Sequence, residues 1–239
     1  MVKLVIDKGN SSIKYGVFDK EALIAVYSTP HCDQSQILKT IEKYKAESAI
    51  ISSVVLNDDF SEIRERVAQV MILDASTRLP FVSEYETPET IGKDRLAAVA
   101  GAQALYPGSS VLIIDAGSAI TYEVFVDGEI YKGGNISPGL EMRFKALNTF
   151  TDKLPLVSKD EEYNFAGRST RQAIASGVIN GMIFEIEGYR ESVKQRWGIN
   201  NTIISGGDSI FFVEKLKKPI FANQNLVLFG LNRILEYNA

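Results

Sequence analysis

Two short turns carry the residues best suited to chemistry. Asp7-Lys8-Gly9-Asn10-Ser11-Ser12 and Asp115-Ala116-Gly117-Ser118 each follow an apolar run and lead into another. In an Asp-x-Gly turn the glycine allows positive φ and lets the backbone approach a ligand closely. Successive backbone N–H groups then converge on an anion. The aspartate offers a carboxylate to a hard cation such as Mg²⁺, directly or through water. Lys14 adds positive charge beyond the first turn, and Thr121 lies near the second. A lone Asp-x-Gly is usually only a hairpin. Two copies at equivalent places point to a polyphosphate held from both sides. A third segment, Ile203-Ile204-Ser205-Gly206-Gly207-Asp208, runs a strand into Gly-Gly. With no side chain in the way, a flat ring or ribose could lie there. An ordinary strand-to-helix turn is the alternative.

An acceptor site is suggested by Pro88-Glu89-Thr90-Ile91-Gly92-Lys93-Asp94-Arg95, which precedes an alanine-rich segment. Asp94 falls in the first turn of the expected helix, where it complements the helix dipole. It could be an N-terminal cap and nothing more. It could also take the proton of an attacking hydroxyl while Arg95 grips an anionic group bidentately. Phosphoryl transfer relies on positioning and charge neutralisation, so it needs neither histidine nor cysteine. The chain has one of each, His31 and Cys32. That excludes an internal disulfide and a one-chain tetrahedral Cys/His zinc site. There is no Gly-x-Ser-x-Gly elbow to pair with His31.

The elements that must hold these residues form a repeat. Leu4 to Gly9 matches Leu112 to Gly117, and Val17-Phe18-Asp19 matches Phe125-Val126-Asp127. Each copy reads as three strands, the third at Leu23 to Ser28 and at Glu129 to Lys132. Alternating helices and strands follow. The first half has helices over Gln34 to Tyr44, Asp58 to Gln69 and Lys93 to Leu105, with strands over Ala49 to Val54 and Val70 to Leu73. The second half has helices over Leu140 to Asn148, Ser169 to Arg196 and Asn225 to Tyr237, and a strand over Thr202 to Ser205. Phe150 to Gly167 reads as a polar loop. This pattern predicts an α/β fold of two duplicated actin-like (ribonuclease H-like) halves, 1–108 and 109–239, with a nucleotide cleft between them. A net charge of -4 over 239 residues argues against a nucleic-acid binder. No apolar run approaches the ~20 residues of a membrane span, and the first residues enter a strand with no signal-like region, so a cytoplasmic protein is expected.

At these motifs the chain resembles the type III pantothenate kinases of the acetate kinase/sugar kinase/actin superfamily. The likeness runs from Asp7 to Asp208 and takes in Asp7-x-Gly9-Asn10-Ser11, Gly92-x-Asp94-Arg95, Asp115-x-Gly117-Ser118-Ala119-x-Thr121 and Gly133-Gly134-x-Ile136-x-Pro138-Gly139. It implies ATP-dependent phosphorylation of pantothenate, with Asp94 as general base and Tyr85, Gly92, Lys93, Arg95 and Thr170 as further pantothenate contacts. It implies ATP contacts at Asp7, Lys8, Gly9, Asn10, Ser11, Ser12, Ile13, Lys14, Ser118, Gly206 and Gly207. Mg²⁺ would sit at Asp7, and a monovalent cation, potassium or ammonium, at Asp115. Ser11 and Ser118 stand where the family usually has threonine, which keeps the hydroxyl and loses a methyl contact. The resemblance also implies a homodimer with the active site at or near the interface. A small stripe on the long helix, Ala173, Gly177 and Gly181, beside the apolar Ile174, Val178 and Met182, suits such packing, and packing within one chain equally. A related small-molecule kinase, or a non-catalytic ATP-binding accessory protein, are the alternatives.

Overall fold

The run Leu4-Val5-Ile6 is wholly buried, as a central strand requires, and forms β1 (Val2–Lys8) in a computed structural model that describes residues 1–9, 12–30, 34–53 and 59–239. β2 (Ser12–Asp19) returns antiparallel to β1, and β3 (Ala22–Pro30) antiparallel to β2. β4 (Ser48–Ser53) and β5 (Gln69–Ile72) add in parallel on the other side, so the sheet order is β3-β2-β1-β4-β5. Parallel additions need crossovers, which α1 (Ser35–Tyr44) and α2 (Ser61–Arg66) provide. Their residues Ile37, Ile41 and Ile63 bury one sheet face with Leu4, Ile6, Ile13, Tyr15 and Ile51. Strand alternation sends Lys3, Val5 and Asp7, with their β4 neighbours Ser48, Ile50 and Ser52, to the opposite face.

Two helices pack along one another in the same unit, α3 (Lys93–Leu105) and α7 (Leu226–Tyr237). A methyl at Gly230 would lie 1.7 Å from the Ala97 carbonyl oxygen, and one at Gly101 2.2 Å from that of Leu226. The alanine and glycine content of α3 therefore serves a backbone-to-backbone approach. β6 (Val82–Ser83) pairs in parallel with Ile130 and Tyr131. This first unit comprises Met1–Ser109, Gly128–Tyr131 and Asn225–Ala239. α7, counted with the second half in the sequence reading, thus folds with the first unit.

The second unit comprises Ser110–Asp127 and Lys132–Gln224. Its strands are β7 (Val111–Ala116), β8 (Ala119–Val126), β9 (Ile130–Pro138, entered from the first unit), β10 (Asn201–Ser205) and β11 (Phe221–Ala222), in the order β11-β10-β7-β8-β9. Its helices are α4 (Leu140–Thr149), α5 (Thr170–Trp197) and α6 (Ser209–Val213). Leu112, Ile114 and Tyr122 of the sheet pack with Phe144 of α4 and Ile179, Met182 and Ile186 of α5. α5 starts where the Ser169 hydroxyl accepts the Gln172 N–H, and stops at Gly198, whose φ of 67° is left-handed.

The charged helix expected over Asp58 to Gln69 is shorter, covering only Ser61–Arg66. Val67 is extended at φ -119° and ψ 127° with its side chain buried, and Gln69 already pairs with Ser48 in the sheet. Burial of a β-branched residue and sheet pairing override the helical charge pattern. The third strand of the second copy runs on past Lys132 to Pro138. Asn10, Ser11, His31, Cys32, Val54 and Asp58 lie outside the described residues. No helix among the described residues is long and apolar enough to cross a membrane.

Candidate active site

The first Asp-x-Gly turn closes with the Gly9 N–H donating to the Ser12 carbonyl at 3.1 Å. Asp7 lies across from Lys14 on β2 and beside Ser52 on β4, and both charged residues are half-buried. Lys8 points to the other face, where its buried ammonium stands 5.7 Å from the Phe60 ring centre. Ser12 is exposed, whereas Ile13 belongs to the core.

Gly92 caps α3 with no side chain of its own, its carbonyl accepting the Arg95 and Leu96 N–H groups. The half-buried Asp94 carboxylate turns back over this cap, its Oδ1 accepting the Arg95 N–H at 2.9 Å. A methyl at position 92 would lie 2.5 Å from that oxygen. Lys93 extends its Nζ to the Ser53 carbonyl at 3.3 Å, and Ser53 is the β4 neighbour of Lys8. The start of α3 is thereby tied to the strand ends that carry the first turn.

Arg95 is only 4% exposed. Its Nη2 donates to the Tyr131 hydroxyl at 3.0 Å and its Nη1 to that of Tyr85 at 3.4 Å. The guanidinium also sits 5.3 Å from the Tyr85 ring centre. The rings of Tyr85 and Tyr131 are nearly parallel, and Phe81 meets Tyr131 edge-on. Both terminal nitrogens of the guanidinium thus meet tyrosine hydroxyls, partners that suit a buried cation. Tyr131 had no mark in the sequence beyond an aromatic residue in a strand.

In the second unit the Gly117 N–H donates to the Ala119 carbonyl at 3.0 Å, and Asp115 is flanked by Thr121 and Ser205 on the neighbouring strands. Gly206, at φ +88°, packs on this turn: a methyl there would lie 2.4 Å from both Asp115 Oδ1 and the Ala116 carbonyl oxygen. The Asp208 N–H donates to the same Ala116 carbonyl at 3.0 Å. Gly139 completes the cluster, with room for a methyl barred by the Ser118 carbonyl oxygen at 2.3 Å. The fold therefore brings Asp115, Ser118, Gly139 and Gly206 together. Gly207 is open. Lys159, in the loop that read as merely polar, pairs with Asp208 at 2.7 Å. The hydrogen bond to Asp208 raises the Lys159 pKa above the ordinary lysine value.

Thr170 is exposed at the start of α5 and lines a groove between α4 and α5 with Leu147, Phe150, Ala173 and Gly177, rather than the Asp115 turn. Ile174, Val178 and Met182 belong to the core. Ala173 and Gly177 are exposed, and a methyl at Gly177 or Gly181 would meet nothing within 4 Å. Among the described residues no three His, Cys, Asp or Glu side chains gather as a metal cluster. A cation would rest on one carboxylate at a time, with ligand, backbone or water oxygens for the remainder.

The sequence pattern described as type III pantothenate kinase matches residues 3–192. The chain belongs to the type III pantothenate kinase family. A type III pantothenate kinase of Cytophaga hutchinsonii is 44% identical over 99% of this chain and 100% of its own length. One from Phocaeicola vulgatus is 45% identical, with 99% of each chain covered. Among solved structures, a Campylobacter jejuni protein assigned to the Baf family of transcriptional activators superposes with a TM-score of 0.65 at 21% identity, covering 98% of both chains. A ROK hexokinase from Thermus thermophilus gives 0.56 at 14% identity, covering 99% of this chain and 100% of its own. These structural likenesses show that the family member has the actin-like kinase fold.

Proposed function

We propose that this protein transfers the γ-phosphoryl group of ATP to the primary hydroxyl of pantothenate, giving 4′-phosphopantothenate and ADP, the first step of coenzyme A synthesis. The observation that carries the reading is the start of α3, where the Asp94 carboxylate lies over Gly92 beside the buried Arg95. Asp94 accepts the hydroxyl proton. Arg95, oriented by Tyr131, recognises the pantothenate carboxylate together with Tyr85, Gly92 and Lys93. The backbone from Asp7 to Lys14 holds ATP phosphates, and Ser118, Gly206 and Gly207 take further parts of the nucleotide. Thr170 completes the acceptor site in a homodimer, a role that the open Ala173–Gly177–Gly181 face supports.

The donor sets fit the cations that the family implies. Asp7 would hold Mg²⁺ through water, and Asp115, beneath the Gly206 cradle and beside the Ala116 carbonyl, offers oxygen donors to potassium or ammonium. When bound, such cations neutralise charge that develops on the phosphates. The cytoplasm is the proposed compartment.

ADP release from Mg²⁺–ATP, with and without pantothenate, in potassium and then sodium buffer, tests the reading. Pantothenate-dependent turnover that falls in sodium is expected. Asp94→Asn should lower kcat by about 10²–10⁴-fold with melting unchanged. ATP binding without pantothenate-dependent turnover would favour an accessory protein or another acceptor.

A further inference from the structure

The second unit contains a chain of polar side chains that the proposed reaction leaves unused. Tyr122 on β8 is 1% exposed, stacks on Tyr189 at 4.0 Å, and donates its hydroxyl to Glu185 Oε1 at 2.8 Å. Burial and this bond hold the phenol protonated, its pKa raised far above the ordinary tyrosine value. Glu185 Oε2, on α5, accepts from Arg143 Nη2 at 2.6 Å. Arg143, on α4, also donates from Nη2 to the Ser137 hydroxyl at 3.0 Å and from Nε to the Pro138 carbonyl at 2.8 Å. The next residue is Gly139, whose α-carbon faces the Gly117 and Ser118 carbonyl oxygens with no space for a methyl.

One hydrogen-bonded path thus ties β8, α5, α4 and the end of β9 and finishes on the second Asp-x-Gly turn. The planar guanidinium is the part that no other side chain reproduces, because its fork meets three acceptors at fixed angles. A lysine could pair with Glu185 but could not hold all three. Partly buried ion pairs add little stability against apolar replacements. Geometry is therefore the more economical account of this one.

We infer that Arg143, Glu185 and Tyr122 are positioning residues for ATP: they hold Pro138–Gly139 against Gly117–Ser118 and so preset the Ser118 turn. The inference rests on the proposed assignment of Ser118 to ATP.

Arg143→Ala, Arg143→Lys and Tyr122→Phe separate positioning from general support. Tyr122→Phe keeps the ring in place and removes only the hydroxyl. ATP affinity is read by calorimetry, together with the KM for pantothenate and the melting temperature. The expected result is an ATP Kd raised about tenfold in Arg143→Ala and at least threefold in Tyr122→Phe, with the KM for pantothenate unchanged in Tyr122→Phe, since Arg143 lines the Thr170 groove and Tyr122 does not. Arg143→Lys should recover the melting temperature but not the ATP affinity. Variants that melt lower yet bind ATP like the unaltered protein would overturn the inference. Equal losses toward ATP and pantothenate in Tyr122→Phe would also overturn it. Should Arg143→Ala fail to fold, Tyr122→Phe decides. Calorimetry needs no turnover, so an unaltered protein that binds ATP but leaves pantothenate unphosphorylated would sink the proposed function while this test still runs.

Discussion

Replacing Gly92 by alanine should disable the site while sparing the fold. Gly92 has φ -60° and ψ 130°, a conformation open to any residue, so the change brings no backbone strain. The added methyl would stand 2.5 Å from Asp94 Oδ1, well inside the 3.4 Å at which ordinary contacts begin. The carboxylate must retreat by roughly 1 Å, since the methyl is fixed to the backbone and the carboxylate is the mobile partner. That retreat gives up the 2.9 Å bond from the Arg95 N–H. A displacement of this size at a reacting group costs on the order of 10²-fold in rate. On stability, alanine at a helix cap costs about 1 kcal/mol, offset in part by the stiffer unfolded chain. Steady-state kinetics and thermal melting on the same sample read both effects. Expected are a kcat about 100-fold lower, a KM for ATP little changed, and a melting temperature within a few degrees. Near-normal kcat in a folded Gly92→Ala protein would refute the argument that the missing side chain keeps space for the carboxylate.

Other consequences are open to measurement. Tyr131→Phe keeps the stack on Tyr85 but removes the 3.0 Å bond that Arg95 Nη2 donates to the hydroxyl. The cost should be about 1.5–3 kcal/mol, seen in denaturant melts. A higher KM for pantothenate should accompany it, and unchanged stability would mean that the hydroxyl is dispensable. The Lys159–Asp208 pair gives a pH signature. Because the folded pKa of Lys159 is raised, its contribution is complete below the ordinary value of 10.5 and fades as pH climbs through the folded value. The stability advantage of the unaltered protein over Lys159→Met should therefore shrink above that value. A gap that stays constant through the alkaline range would refute the assignment.

Local patterns were readable where physics is local. The two Asp-x-Gly turns, the bounds of α3 and the Gly92-to-Arg95 segment each announce themselves within a few residues, through turn chemistry or helix signals. The partners of those residues did not. Lys159 and Asp208 are 49 positions apart, and nothing in a polar loop marks which lysine will find which carboxylate. Tyr131 reads as one more strand aromatic until the chain folds around Arg95. The helix expected over Asp58 to Gln69 ends at Arg66 because charge spacing alone would extend it, while Val67 and Gln69 gain more from burial and sheet pairing. The five residues of α6 are too few for any periodic signal.

The docking of α7 on α3 has a consequence for how the chain is born. Residues 226–237 follow α1 to α6 out of the ribosome, yet they cover a helix made more than a hundred residues earlier. The second unit ends at Gln224, so all of its segments are already synthesised when α7 emerges. Until then α3 has a face of alanine and glycine backbone with no partner, and the first unit waits unfinished. A nascent chain halted before Leu226 should protect the amides of β7, β8 and β10 from hydrogen exchange while those of α3 still exchange. The helix whose first turn holds the proposed catalytic aspartate would then become rigid only once α7 has docked, and binding of pantothenate would report that docking.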